Sequence, residues 1–154
     1  MYNLQMDLLS RMFEQQEALQ RDSYGKSPRE IETDEERIKF IKDMIMAAED
    51  ELHEALNEVG WKPWATSRHI NVEAFKGELV DAFHFFMNLC MVVDMGPVEL
   101  YERYLEKRQR NAQRQLDGYD GVASKCPVCK RALDDPGVSC MVDQESGRAE
   151  CCAS

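Results

Sequence analysis

Apolar residues recur every three or four positions along four separate stretches of this chain, and glycine or proline interrupts the pattern between them. Such spacing lines one face of an α-helix. The first stretch, about residues 3–22, carries Leu4, Leu8, Leu9, Met12, Phe13 and Leu19. A polar segment with Gly25 and Pro28 follows and reads as a loop. Thr33-Asp34-Glu35-Glu36 has the form of a capping box, in which Thr33 caps a helix and Glu36 reaches back. It opens a helix predicted over 34–58, with Ile38, Ile41, Ile45, Ala48, Leu52 and Ala55 in a stripe and Gly60 and Pro63 as the stop. A loop with two tryptophans covers 61–70, and Asn71 is placed to cap the third helix. There Phe75, Leu79, Ala82, Phe86, Leu89 and Val93 form a core seam. Gly96-Pro97 stops it and starts a fourth helix, which runs to about residue 116 before Gly118. The expected fold is all-α, a bundle of four or more helices.

After Gly121 the helical period vanishes. Five of the six cysteines lie in the last 29 residues, whereas Cys90 falls in an apolar stretch and is expected to be buried. Two domains are therefore expected, a helical one over 1–121 and a small Cys-rich tail over 122–154. Cys126-Pro127-Val128-Cys129 resembles a zinc knuckle, and Cys140 with Cys151 or Cys152 would complete a tetrahedral site for a structural Zn²⁺. A tail this short buries little core, and a metal would offset the shortfall. A free-thiol tail without metal is the plain alternative.

The net charge of −10 leaves no basic face for direct binding of nucleic acid. No apolar run reaches membrane-spanning length, so no membrane association is expected. Met1 to Arg11 lacks a basic start followed by an apolar core, so no signal peptide is expected and the location is read as cytoplasmic. An acidic protein still handles polyphosphates if divalent cations sit between carboxylate and phosphate.

Two carboxylate pairs supply that arrangement. Glu51 and Glu54 are three apart on the second predicted helix, and Glu78 and Asp81 are three apart on the third. Residues so spaced lie about 60° apart around the axis, one turn along. Both pairs flank an apolar seam, so two packed helices would bring four carboxylates together. At about 4 Å two unit charges repel by roughly 4 kcal/mol at an effective dielectric of 20, so the cluster requires cations or protons. Oxygen donors of this kind suit Mg²⁺, with Mn²⁺ as the alternative. Solvated helix faces are the plain alternative. Lys107, Asn111 and Arg114 share a face of the fourth helix, and their donors suit phosphate. A basic helix end favoured by the helix dipole would look the same.

These residues resemble the all-α nucleoside triphosphate pyrophosphohydrolases, the superfamily of MazG-like enzymes, and within it the dimeric dUTPase branch. The likeness rests on E-x-x-E followed by Glu78-Leu79-Val80-Asp81-Ala82-Phe83-His84-Phe85, with Gly77 in place of an acid. It rests also on Asn57-Glu58 before Trp61-Lys62-Pro63-Trp64, and on Lys107, Asn111, Arg114-Gln115 and Gly118-Tyr119. It spans about residues 4–120 and does not include the tail. It implies a homodimer, Mg²⁺ dependence, and hydrolysis of dUTP, with dUDP as a further substrate, to dUMP. By position, Glu51, Glu54, Glu78 and Asp81 would hold the metal. Glu54, with Glu51 beside it, would serve the attacking water. Lys62, Lys107, Asn111, Arg114 and Tyr119 would meet the nucleotide. Gln16 would read the base, with Gln20 where the family has Asn, a departure that bears on base choice. Trp61 or Trp64 would stack on the base, Asn88 would touch the sugar, and Phe83 would help exclude a ribose hydroxyl.

Three further readings compete. The same chemistry could act on dCTP or a modified nucleoside triphosphate. The chain could be a non-catalytic helical adaptor with a zinc module. Asp50-x-x-His53 and Asp81-x-x-His84 also faintly match the carboxylate–histidine spacing of di-iron bundles.

Overall fold

The computed structural model describes residues 7–118, 125–143, 146 and 148–151. Its helices are α1 (Leu8–Tyr24), α2 (Asp34–Asn57), α3 (Val72–Val92) and α4 (Pro97–Leu116). A two-stranded hairpin follows, β1 (Met141–Val142) against β2 (Ala149–Glu150), with Met141 opposite Glu150. The all-α expectation holds, and no single described helix is long and apolar enough to cross a membrane.

Each helix starts and stops for a local reason. Asp7 caps α1 by accepting from the Ser10 amide at 2.8 Å, and Gly25 closes α1 in the left-handed region at φ 83°. Thr33 caps α2 as expected, accepting from the Glu36 amide at 3.2 Å. The Glu36 carboxylate does not complete the predicted box but lies 3.9 Å from Lys26 Nζ. A complete capping box stands instead at Ser27–Glu30, around a 3₁₀ turn (Pro28–Glu30) inside the segment read as loop. The Asn71 side chain likewise makes no capping bond. It donates to Glu58 Oε2 at 2.8 Å and helps tie the ends of the tryptophan loop.

The chain divides into two compact units, Met1–Tyr104 and Leu105–Ser154. The expected boundary at 121/122 lies outside the described residues, and the division falls earlier, within α4. In the first unit α2 and α3 run antiparallel, so that Met44 meets Asn88 at one end and Glu51 meets Glu78 nearer the other. α1 packs on α3, and the core gathers Phe13, Met87, Cys90 and Met91, with Leu9, Phe83, Met95 and Leu100 around it. Burial raises the Cys90 thiol above its ordinary value, in keeping with a packing role. Arg29 links the 3₁₀ turn to the end of α3 through Asp94 at 2.5 Å. In the second unit Lys107, Arg110 and Arg114 of α4 bind the aspartates of the Cys-rich segment.

Candidate active site and cysteine centre

The packing of α2 on α3 brings carboxylate oxygens of Glu51, Glu54 and Glu78 within 4.8 Å of one another. Asp81, one turn beyond Glu78, stands outside that three-way cluster but adds its charge to it. Burial lifts the Glu51 carboxyl above its ordinary value, and repulsion from Glu54, Asp81 and Glu78 lifts it further. Glu51 and Glu78, one from each helix, meet across the interface. Carboxylate oxygens gathered this closely form a donor set that a divalent cation fits.

Farther along α3, on the face that carries Glu78 and Asp81, a polar chain links it to α1. Gln16 and Asn88 are 3% and 1% exposed, and Gln16 Nε2 donates to Asn88 Oδ1 at 2.9 Å. Asn88 Nδ2 in turn faces Met44 Sδ at 3.5 Å. His84 Nδ1 lies 2.5 Å from Gln16 Oε1. That oxygen only accepts, so Nδ1 carries the proton and fixes the amide's orientation. Beside this chain is a cavity of about 280 Å³ lined by Met12, Gln16, Leu19, Phe83, His84 and Met87 among others. Gln20, one turn on from Gln16, is also buried.

Trp61 and Trp64 sit on the loop between α2 and α3, 47% and 76% exposed, with Lys62 Nζ 6.0 Å from the Trp61 ring centroid. Arg68 organises that loop from within. Its guanidinium donates to the carbonyls of Gly60, Lys62, Ala65, Ser67 and Pro63 at 2.8–3.3 Å. The loop ends are pinned by Gly60 N to His69 O at 2.8 Å and Asn71 N to Glu58 O at 2.9 Å.

In the second unit the sulfurs of Cys126, Cys129, Cys140 and Cys151 all lie within 4.8 Å of one another. Amide N–H groups of Cys129 and Val128 point at Cys126, and despite burial its thiol falls to about 7. Four sulfurs at this separation around a C-x-x-C turn form a donor set that suits a tetrahedral soft metal. Among the described residues, no histidine joins this cluster or the acidic one. His53 is exposed and His84 is engaged with Gln16, so the geometry lends nothing to the di-iron reading.

Lys107, Asn111 and Arg114 do share one face of α4, and Arg114 Nη1 donates to Asn111 Oδ1 at 3.4 Å. Tyr119 lies outside the described residues. Sequence reasoning passed over Arg68, Arg110, Asp134 and Asp135, and noted His84 only as part of a motif.

The first unit is all-helical, with clustered carboxylates on two antiparallel helices, a donor set suited to a divalent cation. The model of the dUTPase family matches residues 8–99, and the chain belongs to that all-α family. Among curated proteins it is similar to the dCTP pyrophosphatase of Enterobacteria phage T4, 26% identical over 121 residues, covering 62% of this chain and 70% of the relative. It is similar also to the dCTP pyrophosphatase of Enterobacteria phage LZ5, 27% identical over 120 residues, covering 62% and 69%. No solved structure matches it significantly. Family and relatives together make it a nucleoside triphosphate pyrophosphohydrolase.

Proposed function

We propose that the chain hydrolyses dUTP to dUMP and pyrophosphate in a Mg²⁺-dependent reaction. The observation that carries the reading is the convergence of Glu51, Glu54 and Glu78, with Asp81 adding charge, inside the segment that matches the dUTPase family. Magnesium held by these four carboxylates supplies Lewis-acid neutralisation of the phosphate charge that the acids alone would repel. Glu54, exposed at the edge of the cluster, orients a water and takes its proton as the oxygen attacks the α-phosphorus. The bond from that phosphorus to the bridging oxygen breaks, and pyrophosphate leaves. Lys62, Lys107, Asn111 and Arg114 offer donors matched to phosphate oxygens.

The base is assigned to the cavity beside Gln16. Its amide uses one N–H on Asn88 and one lone pair on His84, and the second of each suits a pyrimidine edge. Such an edge pairs with uracil through N3–H and a carbonyl, and with cytosine through the amino group and N3. The dCTP pyrophosphatase relatives therefore favour dCTP as the second reading. Trp61 and Trp64 are the stacking candidates, and Phe83, which lines the same cavity, the barrier to a ribose hydroxyl.

Two further assignments belong to this reading. The four-cysteine centre holds a structural Zn²⁺, supported by its sulfur spacing and the lowered Cys126 thiol. The active form is a homodimer, supported by the run of exposed Ile38, Ile45 and Leu52 at intervals of seven along α2. A cytoplasmic location is consistent with the nucleotide chemistry.

The deciding experiment is a panel of dUTP, dUDP, dCTP and ribonucleotides with and without Mg²⁺, scored by pyrophosphate release. Fast turnover of dUTP only with metal is expected. Equal turnover of dUTP and dCTP ends the uracil assignment. No turnover of any nucleotide, with Glu54→Gln indistinguishable from wild type, returns the chain to the adaptor reading.

A further inference from the structure

The basic face of α4 already holds an anion, and that anion is part of the same chain. Three cationic groups converge on one oxygen, Asp135 Oδ1: Lys107 Nζ at 2.5 Å, Arg114 Nη2 at 3.0 Å and Arg110 Nη1 at 3.1 Å. Arg114 also grips both oxygens of Asp134, through Nε at 2.9 Å and through Nη2. The donors are partly shielded, with the Arg114 and Arg110 side chains 16% and 22% exposed, so solvent screens the contacts less than at an open surface. Three positive charges focused on one point also suit a multiply charged oxyanion. Two adjacent carboxylates imitate one.

The aspartates reach this place because of the cysteines. Asp134 and Asp135 lie on the loop between Cys129 and Cys140, and the sulfurs of those two residues stand 3.6 Å apart at its base. Backbone bonds shape the loop above, with Asp135 N donating to Ala132 O and Val138 N to Asp135 O, both at 3.2 Å. A metal bound by the four sulfurs closes the loop and removes most of the chain entropy that would otherwise oppose seating the pair.

We propose that the Asp134–Asp135 pair is a built-in competitor for polyphosphate, seated on Lys107, Arg110 and Arg114 by the metal-closed cysteine loop. Polyphosphate binding and tail docking then exclude each other. Filling the cysteine centre strengthens the internal anion and weakens polyphosphate. The consequence for turnover rests on the proposed function, in which these donors meet the substrate's phosphates. The anion competition itself does not.

The test is calorimetric titration of the full-length, zinc-loaded chain with inorganic pyrophosphate, at low ionic strength and without Mg²⁺ or nucleotide. Asp134→Asn/Asp135→Asn is expected to bind pyrophosphate about tenfold more tightly than wild type, the gain set by removal of a charge-network competitor held at high effective concentration. Cys140→Ser, which opens the loop base, is expected to move in the same direction. Hydrogen exchange across residues 130–139 is expected to quicken when wild type is saturated with pyrophosphate, a readout that depends on no variant folding. Equal or weaker binding by the aspartate variant, or unchanged exchange on saturation, overturns the proposal and makes the aspartates a fixed brace. Absence of binding to either protein overturns it also. Because none of these readings involves hydrolysis, failure of the nucleotide panel leaves them intact, and their failure leaves the nucleotide panel intact.

Discussion

Glu54 is the side chain at which chemistry and architecture separate most cleanly. It is exposed, and its neighbours already strain against its charge. Glu54→Gln keeps the shape and removes both the proposed base and one unit of repulsion. The expected result is a loss of about 10²–10⁴-fold in kcat, the usual worth of a positioned base, with unfolding at equal or higher denaturant. Asn88 should behave in the opposite way. Asn88→Leu leaves the Gln16 N–H buried without a partner and should cost about 1–3 kcal/mol in chemical denaturation. Asp135 carries the clearest electrostatic signature. Lys107 foremost, with Arg114 and Arg110, holds its carboxyl down at about 2, below the ordinary value of 3.8. A depressed carboxyl stabilises the folded state fully above its unfolded value and loses that contribution as pH falls through about 2. Carboxyl-carbon NMR should place the Asp135 midpoint there, and Lys107→Gln should raise it. A wild-type midpoint near 3.8 would mean that the three cations do not act together.

At the scale of elements, the loop between α2 and α3 is the most constrained piece outside the helices. A Cβ built on Gly60 would lie 2.8 Å from Ser67 O and 3.0 Å from His69 N, both backbone atoms that cannot swing aside. Gly60→Ala should therefore open the loop at its base, and Arg68→Ala should release the five carbonyls at its centre. Both are expected to raise acrylamide quenching of Trp61 and Trp64 and, if those rings meet the base, to raise KM more than they lower kcat. Unchanged quenching would show that the flanking helices alone hold the loop. The helices around it were readable from the sequence because their cause is local. Apolar spacing, Thr33 and Gly96-Pro97 act within a few residues of themselves. The capping box at Ser27 and Glu30 was equally local, with the right S-x-x-E form, yet Gly25 and Pro28 drew the segment into a loop reading. Asn71 was misread for another reason, because its amide answers to Glu58, thirteen residues back, instead of to its own helix. The link from His84 to Gln16 and the pairing of Asp135 with α4 join residues brought together only by folding, and neither leaves a periodic trace.

At the scale of the whole molecule, the first unit shows apolar side chains that a soluble helix normally covers. Ile38, Ile45 and Leu52 recur every seven residues along α2, 68%, 43% and 53% exposed, and Val80 and Phe86 of α3 are 57% and 42% exposed. Sevenfold spacing keeps one stripe of a helix aimed at a partner helix. The carboxylates on the same two helices explain why such a stripe would persist. Glu51 neighbours Leu52 on α2, so covering Leu52 with a second copy would draw water away from that edge of the acid cluster and strengthen the charge interactions there. Assembly and metal affinity should therefore move together. Sedimentation should give twice the 17.8 kDa mass of the chain. Ile45→Glu, more than a turn from Glu51, the nearest member of the cluster, should yield a helical monomer with weaker Mg²⁺ binding by calorimetry, although all four of those carboxylates are still present. A monomeric wild type at micromolar concentration would sever the two properties, and so would an Ile45→Glu monomer that binds Mg²⁺ as wild type does. Either result would require the α2–α3 pair to order its acids without help.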